Sequence, residues 1–199
     1  MDIPIILASS SDIRAQMLRQ AGIRFTILPA RLDEQAITDS LLAQQASARE
    51  IADALAAGKA QKISAKHPEA CVIGADQVLE HNKQLLEKPE SPEIAAQQLR
   101  SMAGAEHRLH SAVVVYQNAS PVWRHIGTVR VTMRKVSEGF LDSYVSRNWD
   151  SIRHSVGAYK IEEEGARLIE RIEGDYFTVL GMPLLPLIGY LSLQGIIEA

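Results

Sequence analysis

Two segments of the chain carry side chains that could do chemistry: one could bind an anion such as phosphate, and the other offers a carboxylate that could bind a metal. The first is LASSSDIR, in which three serines precede a predicted helix and Arg14 falls in its first turn. Free N–H groups of a first turn, the helix dipole and hydroxyls form an anion site, and a guanidinium adds a fork of donors. Simple capping by serine is the alternative. Asp12, near the helix start, would itself satisfy the dipole and repel an anion.

The second segment places a carboxylate after an apolar run. Asp76 follows CVIGA directly, and Gly74 within that run permits close backbone approach. A carboxylate at the end of a buried strand is costly unless it is paired, hydrogen-bonded or bound to a metal. Ligands of open α/β sheets gather at strand ends. A turn-stabilising aspartate is the alternative for this residue.

Further charged residues fall outside regular elements or near helix ends. Each alone is typical of a solvated surface, but together they offer carboxylates to a hard divalent cation and ammonium groups to phosphate oxygens. They are Asp33, Glu34, Lys59, Lys88, Glu173 and Asp175.

Other chemistries lack their motifs. His107 and His110 are three apart in a predicted strand, so they face opposite sides and make a poor metal pair. The sequence contains no H-E-x-x-H, C-x-x-C, G-x-S-x-G, Walker A or G-x-G-x-x-G pattern. Its aromatic residues form no base-stacking pattern.

The elements that must position these residues alternate between strand and helix without a repeat, which predicts an α/β fold with a mixed sheet. The predicted strands are 3–8, 23–29, 71–75, a hairpin over 77–86 turning near Asn82, 109–116, 122–133 and 167–172. The predicted helices are 12–22 with Ser11 as N-cap and Gly22 closing the C-terminus, one or two helices over 37–66 before His67-Pro68, 92–102, 137–148 and an apolar helix within 181–195.

Composition bounds the setting of the protein. The 199 residues fit one domain spanning 1–199, and a net charge of −3 argues against coating of a nucleic-acid polymer. The lone Cys71 is predicted to be a buried hydrophobe, consistent with a reducing compartment. With no signal peptide and no apolar stretch long enough for a membrane span, the sequence predicts a cytoplasmic protein without a membrane partner.

Read in order, seven segments resemble the Maf family of nucleoside triphosphate pyrophosphatases nearly end to end. They are LASSSDIR, LDE, GKA around Lys59, GADQV, EKP, VGAYKIEEEG and RIEGDYFTVLGMPL. The resemblance implies a twisted mixed sheet with helices in two lobes around a cleft. It implies Mg²⁺- or Mn²⁺-dependent hydrolysis of a nucleoside triphosphate to a monophosphate and pyrophosphate. It also implies a homodimer.

Residue roles follow from the resemblance by position. Asp76 matches the catalytic aspartate, and we hypothesise that it holds the metal, alone or with Glu34, and orients or deprotonates the attacking water. The phosphate loop is matched by Ser9, Ser11 and Arg14, and the remaining charged cleft residues by Glu34, Lys59 and Lys88.

The chain also departs from the family pattern. Asp12 and Ile13 replace a proline and an arginine of the phosphate loop, Glu87 replaces a glycine, and Ala105 replaces a lysine. In the family, the positions of Gln77 and Glu162 help to read the base, and this pair resembles the subgroup acting on 7-methyl-GTP. Ile13 stands where that subgroup has tryptophan, which removes a stacking face for a cationic base.

Three functions therefore stay open at the level of sequence. The first is a pyrophosphatase that clears modified or non-standard nucleotides. The second is a nucleotide-binding regulator of septum formation and division arrest with little turnover, which the altered loop at Asp12 and Ile13 favours. The third is a phosphatase that releases single phosphates with the same groups.

Overall fold

The computed structural model describes residues 3–198 and contains a seven-stranded sheet with seven α-helices among those residues. The strands are β1 (Ile5–Leu7), β2 (Thr26–Ile27), β3 (Cys71–His81), β4 (Gln84–Leu86), β5 (Glu106–Gln117), β6 (Ser120–Met133) and β7 (Ile169–Glu173). The helices are α1 (Asp12–Gln20), α2 (Glu34–Ala43), α3 (Ala48–Ser64), α4 (Pro92–Met102), α5 (Glu138–Ile152), α6 (Tyr176–Val179) and α7 (Leu184–Leu193).

The sheet is mixed, which confirms the predicted fold class. Its order is β2-β1-β3-β5-β6-β7, with β4 paired to β3. Strand β1 lies parallel to β2 and to β3, whereas β4 and β7 run antiparallel to β3 and β6. The two hairpins turn at residues 82–83 and 118–119, where all four residues have positive φ, as tight two-residue hairpin turns require.

Several predicted elements differ in extent. The strand predicted over 23–29 is reduced to Thr26–Ile27, and both of its residues are exposed. The alanine-rich stretch is two helices, which separate near Gln45 with its positive φ. The second of them ends at Ser64, before the predicted Lys66, and α5 runs four residues further than predicted. The short helix α6 was not predicted at all.

The contacts of the fold divide the chain into two compact units, which we call unit 1 and unit 2. Among the described residues, unit 1 comprises 3–77, 111–127 and 175–198, and unit 2 comprises 78–110 and 128–174. Strands β3, β5 and β6 each pass from one unit into the other. The interpretation of residues 1–199 as one domain stays a prediction.

The core of unit 1 forms between the parallel strands and the helices α1 and α7. Leu7, Leu18, Ile73 and Leu187 are fully buried in it. Cys71 is buried in the same cluster, as predicted, and burial raises the pKa of its thiol to about 12.

No helix within residues 3–198 has the length and apolar character needed to cross a bilayer.

Helix α3 packs directly on strand β3 because residue 74 has no side chain. A Cβ atom added to Gly74 would lie 2.1 Å from the carbonyl oxygen of Ala56 and 2.9 Å from the Cβ of Ala60. Real Cβ atoms do not approach so closely, so the spacing of helix and strand depends on this glycine. The close approach that the sequence suggested at Gly74 is thus made by helix α3.

Candidate active site

A buried lysine joins two carboxylates in unit 1. Lys59 Nζ lies 2.5 Å from Asp76 Oδ1 and 2.9 Å from Glu34 Oε1. The side chains of Lys59 and Asp76 are only 9% and 10% exposed, whereas that of Glu34 is 47% exposed. We call these three residues the carboxylate–lysine cluster. Its inner pair is shielded from water, and its outer carboxylate is open to solvent.

Three different elements supply the cluster. Asp76 lies on strand β3, and Lys59 lies on helix α3, which the small residue Gly74 admits close to that strand. Glu34 is the first residue of α2, whose start is fixed because the Asp33 side chain accepts a bond from the Ala36 N–H at 3.1 Å. The sequence offered these three side chains as site residues without showing that they meet, and the structure brings them together.

The start of helix α1 lacks the side-chain capping bond that a serine makes at the starts of α3, α4 and α5. Ser47, Ser91 and Ser137 precede α3, α4 and α5, and each hydroxyl accepts a bond of 3.3 Å from an amide N–H in the first turn. Ser11 occupies the same position before α1, but its side chain makes no capping bond. The first-turn N–H groups of α1 are thereby left for water or an anionic ligand. Ser11 thus occupies the predicted N-cap position, but the alternative that its hydroxyl caps the helix is wrong.

Arg14 is buried and bonded within the protein. Its Nε donates to the Gly181 carbonyl at 2.8 Å, and its Nη1 donates to the Ala75 carbonyl at 2.9 Å and to Ser9 Oγ at 3.2 Å. Burial lowers the pKa of Arg14, whereas the negative charges of Asp76 and Glu34 act in the opposite direction. Arg14 therefore lies within the field of the cluster and ties α1 to Ala75 in the middle of strand β3. The strand continues through Asp76 to His81, so the prediction that Asp76 follows the end of a strand is wrong. The direct contact of Arg14 with a phosphate stays a prediction.

Ser9 is held by two donors. Its Oγ accepts from Arg14 Nη1 and, at 3.3 Å, from the Ser11 N–H. Both bonds use the oxygen as an acceptor, so neither of them uses the hydroxyl proton of Ser9. Ser9 is buried and Asp12 is exposed. The Asp12 carboxylate is thus screened by solvent, which weakens the repulsion that its position predicts.

Gln77 is anchored to a segment that the sequence analysis did not connect with it. Its Nε2 lies 3.0 Å from Ser111 Oγ and within 3.1 Å of the carbonyls of Thr178 and Val179 in α6. Asp175 caps that helix by accepting from the N–H and the hydroxyl of Thr178. The signal for this helix was present as an Asp-x-x-Thr cap, which sequence reasoning interpreted only as a turn. Reading of a base by Gln77 stays a prediction.

Two predicted site residues belong to unit 2. Lys88 is exposed in the loop between β4 and α4. Glu162 is exposed just before the 3₁₀ turn at 164–168. Of the predicted site residues, Ser9, Ser11, Arg14, Glu34, Lys59, Asp76 and Gln77 all lie in unit 1. The roles assigned to Lys88 and Glu162 stay predictions.

The donor set of the cluster suits a hard cation that is bound together with a ligand. Within residues 3–198 no group of three or more His, Cys, Asp and Glu side chains is arranged to hold a metal. One oxygen of Glu34 and one oxygen of Asp76 nevertheless converge, because both contact the same Lys59 Nζ atom. Mg²⁺ is commonly held by one or two carboxylates, with phosphates and water completing its coordination.

The chain resembles known proteins over its whole length. A family model described as Maf-like protein matches residues 4–193. The chain is 56% identical over 198 residues to a nucleoside triphosphate pyrophosphatase of Ruegeria pomeroyi, with 100% of both chains covered. It is 48% identical to a nucleoside triphosphate pyrophosphatase of Sphingopyxis alaskensis, covering 96% of this chain and 98% of that one. It is 42% identical to a 7-methyl-GTP pyrophosphatase of Rhizobium etli, with 98% of both covered.

Proposed function

Because the chain belongs to the family of Maf-like proteins, we propose that it hydrolyses a nucleoside triphosphate to a nucleoside monophosphate and pyrophosphate. The names of relatives that are similar over their full length support this reaction. The observation that carries the proposal is the carboxylate–lysine cluster: two carboxylates and one ammonium, with the inner pair buried in the same unit as the open start of α1.

The reaction exchanges one bond to phosphorus for another. The oxygen of a water molecule bonds to the α-phosphorus, and the bond from the α-phosphorus to the bridging oxygen breaks. That oxygen leaves with the pyrophosphate, while the water gives up a proton. Lys59 contacts Asp76 Oδ1, so we assign the other carboxylate oxygen, Oδ2, to orienting the water and accepting its proton.

Phosphate binding requires positive charge and N–H donors. A triphosphate brings about four negative charges, and charge grows on the leaving pyrophosphate as the bond breaks. We assign its neutralisation to Lys59, Lys88 and the first-turn N–H groups of α1, with Ser9 and Ser11 as hydroxyl donors. Arg14 orients Ser9 and adds its charge from within the protein.

Glu34 and Asp76 would hold a divalent metal ion, Mg²⁺ or Mn²⁺, which when bound supplies Lewis-acid neutralisation of the phosphate oxygens. Their hard oxygen donors fit either ion.

A finer proposal is a preference for 7-methyl-GTP. It is supported by the Gln77 and Glu162 pair and by the name of the Rhizobium etli relative. A carboxylate at 162 would accept two hydrogen bonds from a guanine Watson–Crick edge, a pattern that thymine does not offer. The physiological role that fits this chemistry is removal of modified nucleotides in the cytoplasm, by a protein that acts as a homodimer.

Product analysis tests the proposed function directly. The purified protein is incubated with Mg²⁺ or Mn²⁺ and a panel of ordinary and modified triphosphates, and pyrophosphate is quantified against orthophosphate. We expect pyrophosphate and nucleoside monophosphate in equal amounts. Orthophosphate as the product would indicate the phosphatase, and nucleotide binding without either product would indicate the regulator of division.

A further inference from the structure

We infer that in the free protein the Lys59 ammonium occupies the place of the divalent cation, and that a metal ion enters between Glu34 and Asp76 only when phosphates draw the ammonium away. The inference rests on the proposed function in one respect, since it takes these two carboxylates as the metal ligands. It adds an order of events: nucleotide and metal enter together, and the metal alone is excluded.

The Lys59 ammonium occupies the position where the two carboxylates converge. A single Nζ atom contacts an oxygen of Asp76 at 2.5 Å and an oxygen of Glu34 at 2.9 Å. A metal ion bound by both carboxylates has to contact oxygens of both, at about 2.0–2.1 Å for Mg²⁺. At the point where Asp76 Oδ1 and Glu34 Oε1 converge, the metal ion would need the volume that the ammonium fills. A metal ion beside the ammonium would also be repelled strongly by it, because Lys59 and Asp76 are almost completely shielded from water.

The charge balance of the site opposes the metal alone. Glu34 and Asp76 carry two negative charges, and Lys59 and Arg14 carry two positive charges in the same field. The group is thus already neutral, and a divalent ion added by itself would leave two uncompensated charges. A triphosphate brings about four negative charges, so it compensates both the metal and a displaced ammonium.

The number of donors points the same way. Within the described residues, two carboxylates converge here, and no third His, Cys, Asp or Glu side chain joins them. Mg²⁺ prefers six oxygen ligands and gives up its water reluctantly. Phosphate oxygens have to supply part of the coordination. An ammonium, which needs only hydrogen-bond acceptors, competes well against a metal until those oxygens arrive.

The test measures metal binding without nucleotide and without turnover. Mn²⁺ is titrated into the full-length protein, and binding is followed by the water-proton relaxation rate. The wild type should bind Mn²⁺ weakly, and Lys59→Met should bind it at least about tenfold more tightly because the competing charge is gone. Mn²⁺ should also raise the Tm of Lys59→Met but not that of the wild type.

Two further variants control for folding and for net charge. Lys59→Gln keeps a hydrogen-bond donor between the carboxylates without the charge, so it gives the same comparison if Lys59→Met does not fold. Lys66→Met removes an exposed lysine just beyond the end of α3 and should bind Mn²⁺ as weakly as the wild type. The inference is overturned if the wild type binds Mn²⁺ at least as tightly as Lys59→Met and Lys59→Gln do.

A second arm examines the nucleotide. An α,β-methylene triphosphate analogue, which is not cleaved at that bond, should raise the affinity of the wild type for Mn²⁺ at least about tenfold. A wild type that binds Mn²⁺ equally well with and without the analogue overturns the order of events. The proposed function fails separately, when product analysis yields no pyrophosphate, so the two failures are distinguishable.

Discussion

Units 1 and 2 bury different kinds of polar residue. In the described part of the chain, the buried residues with a fixed charge, Arg14, Lys59 and Asp76, all lie in unit 1. In unit 2 the buried polar residues are histidines, His81, His107 and His110. Burying a fixed charge is costly even when it is paired. Stability alone does not account for three such residues in one unit, which supports the proposal that they bind a charged ligand.

The ion pairs of unit 2 lie on its surface instead. Glu164 accepts bonds from Arg147 at 2.7 Å and from Arg167 at 3.0 Å, and Arg100 binds Asp142 at 2.5 Å. Exposed pairs of this kind contribute little to stability because water and salt screen them. The same chemical groups therefore have different consequences in the two units, according to their burial.

Removal of the buried carboxylate of unit 1 should have the largest effect. Asp76→Asn keeps the shape of the side chain but removes the charge that faces Lys59 and the base assigned to the water. Turnover should fall by about 10²–10⁴-fold, and the free energy of unfolding by about 1–3 kcal/mol. Pyrophosphate release and urea denaturation measure the two effects.

The matched control is Asp142→Asn, which removes an exposed partner of Arg100 in unit 2. Its turnover should equal that of the wild type. If Asp76→Asn retained turnover comparable to this control, Asp76 would lose its catalytic assignment.

Among the buried histidines of unit 2, His107 should have an intermediate effect on stability, which appears only at acidic pH. Burial, and secondarily the nearby His81, lowers the pKa of His107 from 6.5 to about 4. The unfolded chain therefore binds this proton more readily than the folded protein does. Stability is lost as the pH falls from about 6.5 to about 4, and this residue accounts for about 2–3 kcal/mol of the loss.

Urea denaturation of His107→Gln at several pH values checks this sign. The variant should lose less stability than the wild type between pH 7 and pH 4. His154→Gln changes an exposed histidine of the same unit and should retain the full acid loss. An identical acid loss in His107→Gln and the wild type would contradict the argument.

The exposed network of unit 2 should give the smallest effect. Hydrogen bonds from Arg147, and then from Asn148, lower the pKa of Glu164 to about 2. The stabilisation is thus present above pH 4.5 and is lost as the pH falls through about 2. Because Glu164 is only partly buried and its partners Arg147 and Arg167 are exposed, Glu164→Gln should lower the Tm by no more than about 2 °C at pH 7.

Salt separates this screened interaction from a buried one. Calorimetry in about 1 M salt should remove the Tm difference between Glu164→Gln and the wild type. Glu170→Gln, on strand β7, serves as the matched surface change. If the Tm loss of Glu164→Gln persisted at high salt, the Glu164 interactions would not be screened by salt. The charged pairs of unit 2 would then resemble the buried pair of unit 1, contrary to our comparison.

Local patterns predicted most of the fold. Pro92 and Ser91 mark the start of α4, and Asn82 and Asn118 mark hairpin turns, because each of these residue types favours the backbone conformation that its position requires. Strand β2 was overestimated because Ile23 and Phe25 reach the core from outside the strand, which an apolar run does not distinguish from pairing.

The site was predictable as a set of residue types but not as an arrangement. Lys59 and Asp76 are 17 residues apart on a helix and a strand, and only the packing of those elements brings them together. From the sequence, the Arg14 guanidinium was predicted to donate hydrogen bonds to a phosphate. Its protein acceptors at 75 and 181 are 61 and 167 residues away, beyond any local pattern.

Gly74 has no functional group, but the proposed catalytic chemistry depends on it because it sets the distance between α3 and β3. Alanine at 74 would change no charge and delete no functional group, yet the added methyl would lift helix α3 from β3 and separate the ammonium from its inner carboxylate. Variants of Gln77 or Glu162 that test the proposed base preference should keep Gly74, because a displaced α3 would alter the cluster as well. A homologous chain with a larger residue there would need a longer cationic side chain at 59 to span the wider gap.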